Sequence, residues 1–548
     1  MLDGVILDDS RLARETERGI WPGRVVTDYF DHWVAVRPDD TAIIAFRAED
    51  RSTTRLTYAE LNDRVAAVAS TLAELGVGRG DVVAFQLPNW WEFVAVYLAC
   101  VRIGAAANPL MPIFRHRELA FMLALAESKV FIAPARFRGF DHATLARTLA
   151  RDVPTLQEVL LVGGKDEDAF ETRLARAASK SAYSSGAALT PNDVTQLLYT
   201  SGTTGEPKGV MHTSNTLLGT VRKFAQRMEV GASDVVFMPS PLAHQLGFAY
   251  GILMTQVVGI PIVLLDVWNP ASAADLIERH RATFTFAATP FLADLANFPG
   301  VAGRRLDSLR LFVSSGAPIP PAVVQAAQKR LGVTVVTCWG MTECCSVTLT
   351  PPSGYKVLES DGCVLDGEEV RIVDESGKEL PRGAEGTLQI RGAALFVGYL
   401  KRPQLYALDP DGWFDTGGLA RMDEEGYIRI CGRKKDIVIR GGENIPVIEV
   451  ESALYRMPEV ADVAIVAMPD PRLIERACAF VTLRPGRALT LEQLRRHLGA
   501  EGIAKHFWPE RLEIIDEMPR TPTGKIQKFV LRDRARMFLP DTDSRVVT

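Results

Sequence analysis

Thr200-Ser201-Gly202-Thr203-Thr204-Gly205-Glu206-Pro207-Lys208-Gly209 is the stretch from which the rest of the chain is read. Small hydroxyl and glycine residues let backbone N–H groups and side-chain hydroxyls close around an anion, and Lys208 adds a positive charge for phosphate oxygens. The stretch follows the apolar run Val194 to Tyr199, which reads as a buried strand. A second β-branched run comes next, and a helical pattern begins only near Ser214. A Walker A loop needs Gly-x4-Gly-Lys-Ser/Thr running straight into a helix. Here Gly209 follows Lys208, so the P-loop NTPase reading is weak. A plain Gly/Ser/Thr linker shares the composition, but it accounts poorly for one Lys-Gly set behind an apolar strand.

At 548 residues the chain exceeds one hydrophobic core, and its length suggests three or four folding units. A net charge of −5 with both signs interspersed argues against nucleic acid as the main partner. Met1 to Arg18 mixes acids and arginines without an apolar run, so no signal peptide is read and a cytoplasmic protein is expected. Seven cysteines without any Cys-x2-Cys give neither a disulfide framework nor a zinc site. The most membrane-like stretch, Gly251 to Trp268, is broken by Thr255, Gln256, Pro261 and Asp266 and reads as a buried helix end plus a core strand.

Alternating strand-like and helix-like segments through the first three-quarters predict an α/β protein with largely parallel sheets. Leu309 to Val313 is a short strand ending in the turn Ser314-Ser315-Gly316-Ala317-Pro318, placed where such proteins bind ligands. Pro320-Pro321 then opens a helix carried by Val323, Val324, Ala327 and Leu331. A boundary falls near Gly432-Arg433-Lys434-Lys435-Asp436, dividing residues 1–434 from a small α+β domain, 435–548. That domain should hold a helix around Val447 to Arg456, strands near Val460 to Ala467 and Ala477 to Leu483, and a helix opened by Thr490 with Gln493 in capping-box register. Its last feature, Pro519 to Lys525, reads by composition alone as a solvated tail.

Trp339-Gly340-Met341-Thr342-Glu343 follows the apolar strand Val333 to Val336. An aromatic can cover a purine, Gly340 lets backbone approach a ligand, and Glu343 offers a hard oxygen to Mg²⁺. Alone the pentapeptide is more often an ordinary core and surface pair. Taken in order over about 500 residues, however, the pieces resemble the adenylate-forming superfamily of acyl-CoA synthetases, luciferases and peptide-synthetase adenylation domains. Leu56 to Leu61 is similar to its N-terminal motif and residues 200–209 to its signature loop. Pro241-Leu242-Ala243-His244 with Gly247 resembles the acyl-site motif, and Ser315 to Pro318 with Trp339 to Glu343 the adenine-pocket motifs. Gly412-Trp413-Phe414 with Thr416-Gly417 resembles the ribose motif, Gly432 to Asp436 the hinge, and Pro519 to Lys525 the catalytic C-terminal loop.

The resemblance implies a large N-terminal domain of two α/β subdomains and a distorted β-barrel, with a mobile C-terminal domain. It implies ATP, Mg²⁺ and coenzyme A as co-substrates. Thr200, Ser201, Gly202, Thr203, Thr204, Gly205 and Lys208 would hold phosphates. Thr204 and Glu343 would hold the metal. Ser315, Gly316, Ala317, Pro318, Trp339, Gly340, Met341, Thr342 and Arg433 would hold adenine and ribose. His244, Gly247, Phe248, Ala288, Cys345 and Val347 would line the acyl pocket, with a hydrogen-bonded structural histidine the lesser reading of His244. Lys525 would stabilise charge as the acid attacks the α-phosphorus; Lys435 would be the hinge, and Arg440, Gly441, Gly442 and Glu443 would meet coenzyme A. Lys525, Thr204, Glu343 and His244 form the implied catalytic set, and a homodimer is the expected assembly. No enzyme nucleophile is needed, so Cys338, Cys344 and Cys345 are expected as lining residues rather than covalent catalysts.

Pro241 to Phe248 carries no carboxylate to pair with an α-ammonium, which turns the reading away from amino acids and toward an aliphatic, alicyclic or aryl acid. Pro109 to Leu119, Trp339 and Arg440 to Ile445 resemble bacterial cyclohexanecarboxylate–CoA ligases and related medium-chain fatty acid–CoA ligases. Two positions depart from the pattern. Gly418 stands where the ribose motif has Asp, and Ile474 where the C-terminal domain usually has Gly. Gly418 motivates a competing reading, a degenerate member that binds an acyl-adenylate or CoA ester with impaired turnover.

Overall fold

Trp91–Ile103 is apolar at every position but Glu92 and Arg102, so it is buried almost all round. In a computed structural model describing residues 2–178, 188–201, 207–316, 319–440, 443–520 and 526–538, this helix shares one core with residues of two sheets: Val83, Phe85 and Ile132 from one, Ile43, Phe284 and Val313 from the other.

The larger sheet has nine strands. Its centre is parallel, in the order Thr334–Met341, Leu311–Ser315, Phe284–Ala288, Val236–Met238, Ile262–Leu265 and Thr41–Phe46, with antiparallel strands added at both edges. The second sheet has six strands, four parallel pairings and one antiparallel edge hairpin, Val194–Ser201 with Pro207–Thr213. Strands buried on both faces read as continuous apolar runs, which is how Val194 to Tyr199 and Leu309 to Val313 are legible in the sequence.

The expected barrel is an open, four-stranded antiparallel sheet, Glu368–Val373, Gly386–Gly392, Phe414–Met422 and Ile428–Arg433, whose outer strands do not pair with each other among the described residues. A smaller domain follows. Its five-stranded sheet carries the hairpin Val460–Asp470 with Ile474–Leu483, covered by Val447–Leu454 and Leu491–Ala500 around a separate core. The Thr490–Gln493 capping box forms as expected, and Thr57 with Glu60 makes another at the head of Tyr58–Glu74, so part of the Leu56 to Leu61 motif has a local structural role. The Gly251 to Trp268 stretch is a π-helical turn, a short helix Met254–Val258 and the strand Ile262–Leu265; among the described residues no helix is long and apolar enough to cross a membrane.

Ile474 occupies a left-handed backbone conformation, φ +69, and is 66% exposed. A β-branched residue is strained there by about 1–2 kcal/mol, and glycine is not. The turn is held all the same, because the Asp470 carboxylate accepts the amides of Arg472 and Leu473 at 3.0 and 2.8 Å. Ile474→Gly should therefore stabilise the small domain by about 0.5–1 kcal/mol after the entropy of the unfolded glycine is deducted. Thermal unfolding should show a midpoint a few degrees higher; a lower midpoint would show that the exposed sec-butyl group makes a stabilising contact.

Candidate active site

The signature stretch sits in a β-hairpin. Thr200 pairs with Lys208 and Ser201 with Pro207, with Gly202, Thr203, Thr204 and Gly205 between them and outside the described residues. The helix comes only after the second strand, at Ser214–Arg227, capped by Thr213. This strand–loop–strand order differs from that of a Walker A loop.

Beside Pro207–Thr213 runs the segment 396–400, tied by Leu400 N–H to Gly209 carbonyl at 2.8 Å and Met211 N–H to Gly398 carbonyl at 3.1 Å. This lays the Tyr399 ring under Lys208, whose ammonium lies 4.9 Å from the ring centroid. The Tyr399 hydroxyl donates to Glu343 Oε1 at 2.9 Å. Glu343 is buried, and burial pushes its carboxyl above the usual range while Tyr399, Lys208 and Arg433 pull it back. A lysine, a tyrosine and a buried carboxylate thus converge at the mouth of the hairpin. Tyr399 was not anticipated from sequence.

Glu343 lies at the tip of a second hairpin, Thr334–Met341 with Cys345–Leu349. The turn is tight: Cys344 N–H reaches Met341 carbonyl at 3.1 Å and Cys345 takes φ +53. Gly340 is forced by this packing, since a Cβ there would stand 1.8 Å from the Cys345 carbonyl oxygen. His212, fully buried on the phosphate hairpin, fixes the tip from below through its Nε2 and the Thr342 carbonyl at 2.7 Å, with Nδ1 at 3.0 Å from the Thr216 hydroxyl. Burial lowers its pKa to about 4, so it is neutral at physiological pH and Nε2–H is the donor. His212 is a positioning residue that the sequence reading missed.

Trp339, Met341 and Thr342 are half-buried, with Trp339 packed toward the four-stranded sheet. Ser315 is buried at the end of its strand and Gly316 takes φ +82; Ala317 and Pro318 lie outside the described residues. Among the described residues no group of three or more His, Cys, Asp or Glu makes a ready metal cage. A Mg²⁺ brought in on phosphates needs only one or two carboxylates. Glu343, a hard oxygen donor beside Lys208, fits that requirement.

On the acyl side, Gly247 is pressed onto the chain, where a Cβ would stand 2.3 Å from the Pro241 carbonyl oxygen. His244 caps the following turn, its Nδ1 accepting Leu246 N–H at 3.3 Å. The expected lining set divides. Phe248, on Tyr97 at 4.6 Å between ring centroids, shares the central core with Cys345. Val347 instead packs with Val210, Cys344 and Phe396. Ala288 is buried at the end of its strand. Burial drives the Cys338 and Cys345 thiols to about 12 and Cys344 well above its usual value, so all three stay protonated at neutral pH and are poor nucleophiles.

Gly418 pairs with Leu388 and Arg433 in the open sheet, and its amide donates to the Thr416 hydroxyl at 3.0 Å. Its neighbour Asp415 accepts Gly417 N–H at 2.8 Å and pairs with Lys434 at 2.9 Å. Asp436, two residues beyond Lys434, pairs with Arg532 of the last helix at 2.5 Å. Arg440 is held inside the small domain by Glu510 at 2.5 Å. Gly441, Gly442 and Lys525 lie outside the described residues, as do the side chains of Ser201, Lys435 and Glu443.

A family model described as AMP-binding enzyme matches residues 30–400, and one described as AMP-binding enzyme C-terminal domain matches residues 449–525. The chain is 37% identical over 532 residues to a medium-chain fatty-acid–CoA ligase of Escherichia coli strain K12, covering 96% of this chain and 93% of that one. It is 34% identical over 536 residues to a salicylyl-CoA synthase / salicylate adenylyltransferase of a Streptomyces species, covering 95% and 96%. Its fold superposes on ATP-bound MatB from Rhodopseudomonas palustris with a TM-score of 0.84 at 29% identity, covering 94% and 99%. The converging Lys208, Tyr399 and Glu343, the two-domain α/β architecture and these full-length likenesses agree: the chain belongs to the AMP-binding enzyme family, as an AMP-forming acyl-CoA synthetase of the adenylate-forming superfamily.

Proposed function

We propose that this enzyme activates a neutral, largely apolar carboxylic acid, alicyclic, medium-chain or aryl, with cyclohexanecarboxylate first among them, and passes the acyl group to coenzyme A. The observation that carries the substrate class is the composition around Cys345 and Phe248. The segment Pro241 to Phe248 has no carboxylate, and buried thiols and aromatic rings surround it. A charged distal group there would be buried without a partner at a cost of several kcal/mol.

In this reading ATP phosphates lie along Lys208 and the hairpin, and Glu343 supplies an oxygen to the magnesium that accompanies them. The acid's carboxylate attacks the α-phosphorus, pyrophosphate leaves, and Lys525 offsets the developing charge. The thiol of coenzyme A then attacks the acyl carbon and AMP leaves. Residues 1–434 and 435–548 are the proposed domains, with Lys435 at the hinge; a cytoplasmic homodimer is the proposed setting. The relatives named above, a medium-chain fatty-acid–CoA ligase and a salicylyl-CoA synthase, support an acid with an apolar body. The degenerate reading is not favoured, because Lys208 and Glu343 are retained beside each other and Lys525 is present.

The test is CoA-dependent AMP release with cyclohexanecarboxylate, benzoate and octanoate, against malonate and α-amino acids. Preference for one of the first three is expected, and preference for a dicarboxylate or amino acid would overturn the substrate class.

Gly418 makes a separate prediction. Its φ lies outside the left-handed region, and a Cβ would have Thr416 Oγ1 at 3.1 Å and Gly432 oxygen at 3.9 Å, so an aspartate fits with a small shift. Hydrogen bonds from a carboxylate to ribose hydroxyls contribute about 1.5–3 kcal/mol each. Gly418→Asp should lower the KM for ATP about tenfold with little change in the KM for the acid. An unchanged KM for ATP would show that the nucleotide is held without that carboxylate, with Asp415 and its Lys434 partner the next residues to test.

A further inference from the structure

Gln245 opens the short turn Gln245–Gly247 and is 4% exposed. Its place is set by rigid neighbours. Gly247 is pressed against Pro241, Phe248 N–H donates to His244 carbonyl at 2.9 Å, and the turn packs on the strand that ends at Ala288. From there the amide reaches across to the second hairpin, where Nε2 lies 2.8 Å from Cys345 Sγ. Its other end, Oε1, is buried with no hydrogen-bond partner among the described residues.

The neighbouring polar groups are already matched. The Tyr250 hydroxyl accepts Ser346 N–H at 3.0 Å, and Cys338 Sγ lies 3.1 Å from the Ser346 hydroxyl. Phe248, Tyr250, Cys338 and Cys345 form an otherwise apolar wall. A buried amide with one end unmatched is costly, and its remaining bond, to sulfur, is weak and easily exchanged. Turning the amide over does not remove the mismatch, since Cys345 S–H would then donate to Oε1 and leave Nε2 unmatched.

We infer that Gln245 is a specificity-determining residue that selects acids carrying a hydroxyl group on an otherwise apolar body, the hydroxyl meeting the unmatched end of the Gln245 amide beside its contact with Cys345. A hydroxyl both donates and accepts, so it satisfies the amide in either orientation. This rests on the proposed acyl-CoA synthetase reading and narrows its substrate class. A site that hydrogen-bonds a buried hydroxyl discriminates against the analogue that lacks it, because the protein group is then left unpaired.

The test compares benzoate with its three hydroxybenzoates, and cyclohexanecarboxylate with its hydroxylated isomers. Each acid is read by CoA-dependent AMP release and, without turnover, by calorimetric titration in the presence of a non-hydrolysable ATP analogue. At least one hydroxylated isomer should exceed its parent by about tenfold in kcat/KM and in affinity. In Gln245→Met, similar in length and apolar, that ratio should fall to one or below. The proposal is overturned if every hydroxylated isomer is equal to or worse than its parent in the natural enzyme, a result that needs no variant to fold. It is overturned equally if the preference survives in Gln245→Met. Should no acid give CoA-dependent AMP release, the synthetase reading fails, and the calorimetric ratios still decide for or against Gln245.

Discussion

Lys525→Ala is expected to lose about a thousandfold or more in acyl-adenylate formation, while converting supplied acyl-AMP and coenzyme A to the thioester at a rate within about tenfold of the natural enzyme. Removing one preorganised donor to a developing negative charge costs about 10²–10³, and a full positive charge at a phosphoryl centre contributes more. The separation of the two half-reactions follows from where the lysine's segment is anchored. Arg520 pairs with Ile526, and Gln527 N–H donates to Pro519 carbonyl at 2.8 Å. Arg520 is bound to Asp462 at 2.5 Å, and Lys528 to Glu451 at 2.6 Å. All of these belong to the small domain, whereas Lys208, Tyr399 and Glu343 belong to the large one. We propose that the lysine serves adenylation in one orientation of the small domain and that thiol attack uses another. Pyrophosphate exchange reads the first half-reaction, and thioester formation from synthetic acyl-AMP reads the second. Equal losses in both would overturn the division of labour.

What could be read in advance was local. The strand–loop–strand order around residues 200–209, the proline-led helix Pro321–Leu331 and the Thr490–Gln493 capping box each depend on residues within a few positions of one another. What escaped depends on distant contacts. Tyr399 and His212 acquire roles because segment 396–400 runs beside Pro207–Thr213 and the Glu343 tip folds over both, contacts that span more than a hundred residues. Val347 was assigned to the acyl pocket together with Cys345. The left-handed Cys345 interrupts the strand alternation, so that Cys345 joins the central core while Val347 packs with Val210, Cys344 and Phe396. Ile474 began as an unexplained departure from a glycine. Its φ of +69 explains the glycine: the turn needs the conformation, and here a β-branched residue bears the strain. The open sheet in place of a barrel is a matter of which strand edges meet, and edge pairing leaves no mark on the hydrophobic pattern of any one strand.

Gly340→Ala is the second substitution expected to have a large effect. The added methyl group would sit 1.8 Å from the Cys345 carbonyl oxygen, 2.8 Å from its carbonyl carbon and 3.0 Å from Ser346 Cα, all of them backbone. No rotamer change relieves a clash with backbone, so the hairpin must open where Gly340 faces Ser346. Opening it moves the tip that carries Glu343, and with it the carboxylate held by Tyr399. The expected cost is about 3 kcal/mol or more in stability, a fall of about 6 °C or more in the unfolding midpoint, and at least a hundredfold loss of adenylation. Gly418→Ala is the matched control. Its methyl group would meet a hydroxyl oxygen at 3.1 Å and nothing else nearer than 3.9 Å, so a change under about 1 kcal/mol is expected. Calorimetric unfolding and pyrophosphate exchange on the two variants read both quantities. If Gly340→Ala unfolded within a degree of the natural enzyme and kept its exchange rate, the close approach of the two strands would not be what holds Glu343 in place. The carboxylate's position would then have to come from Tyr399 and His212 alone.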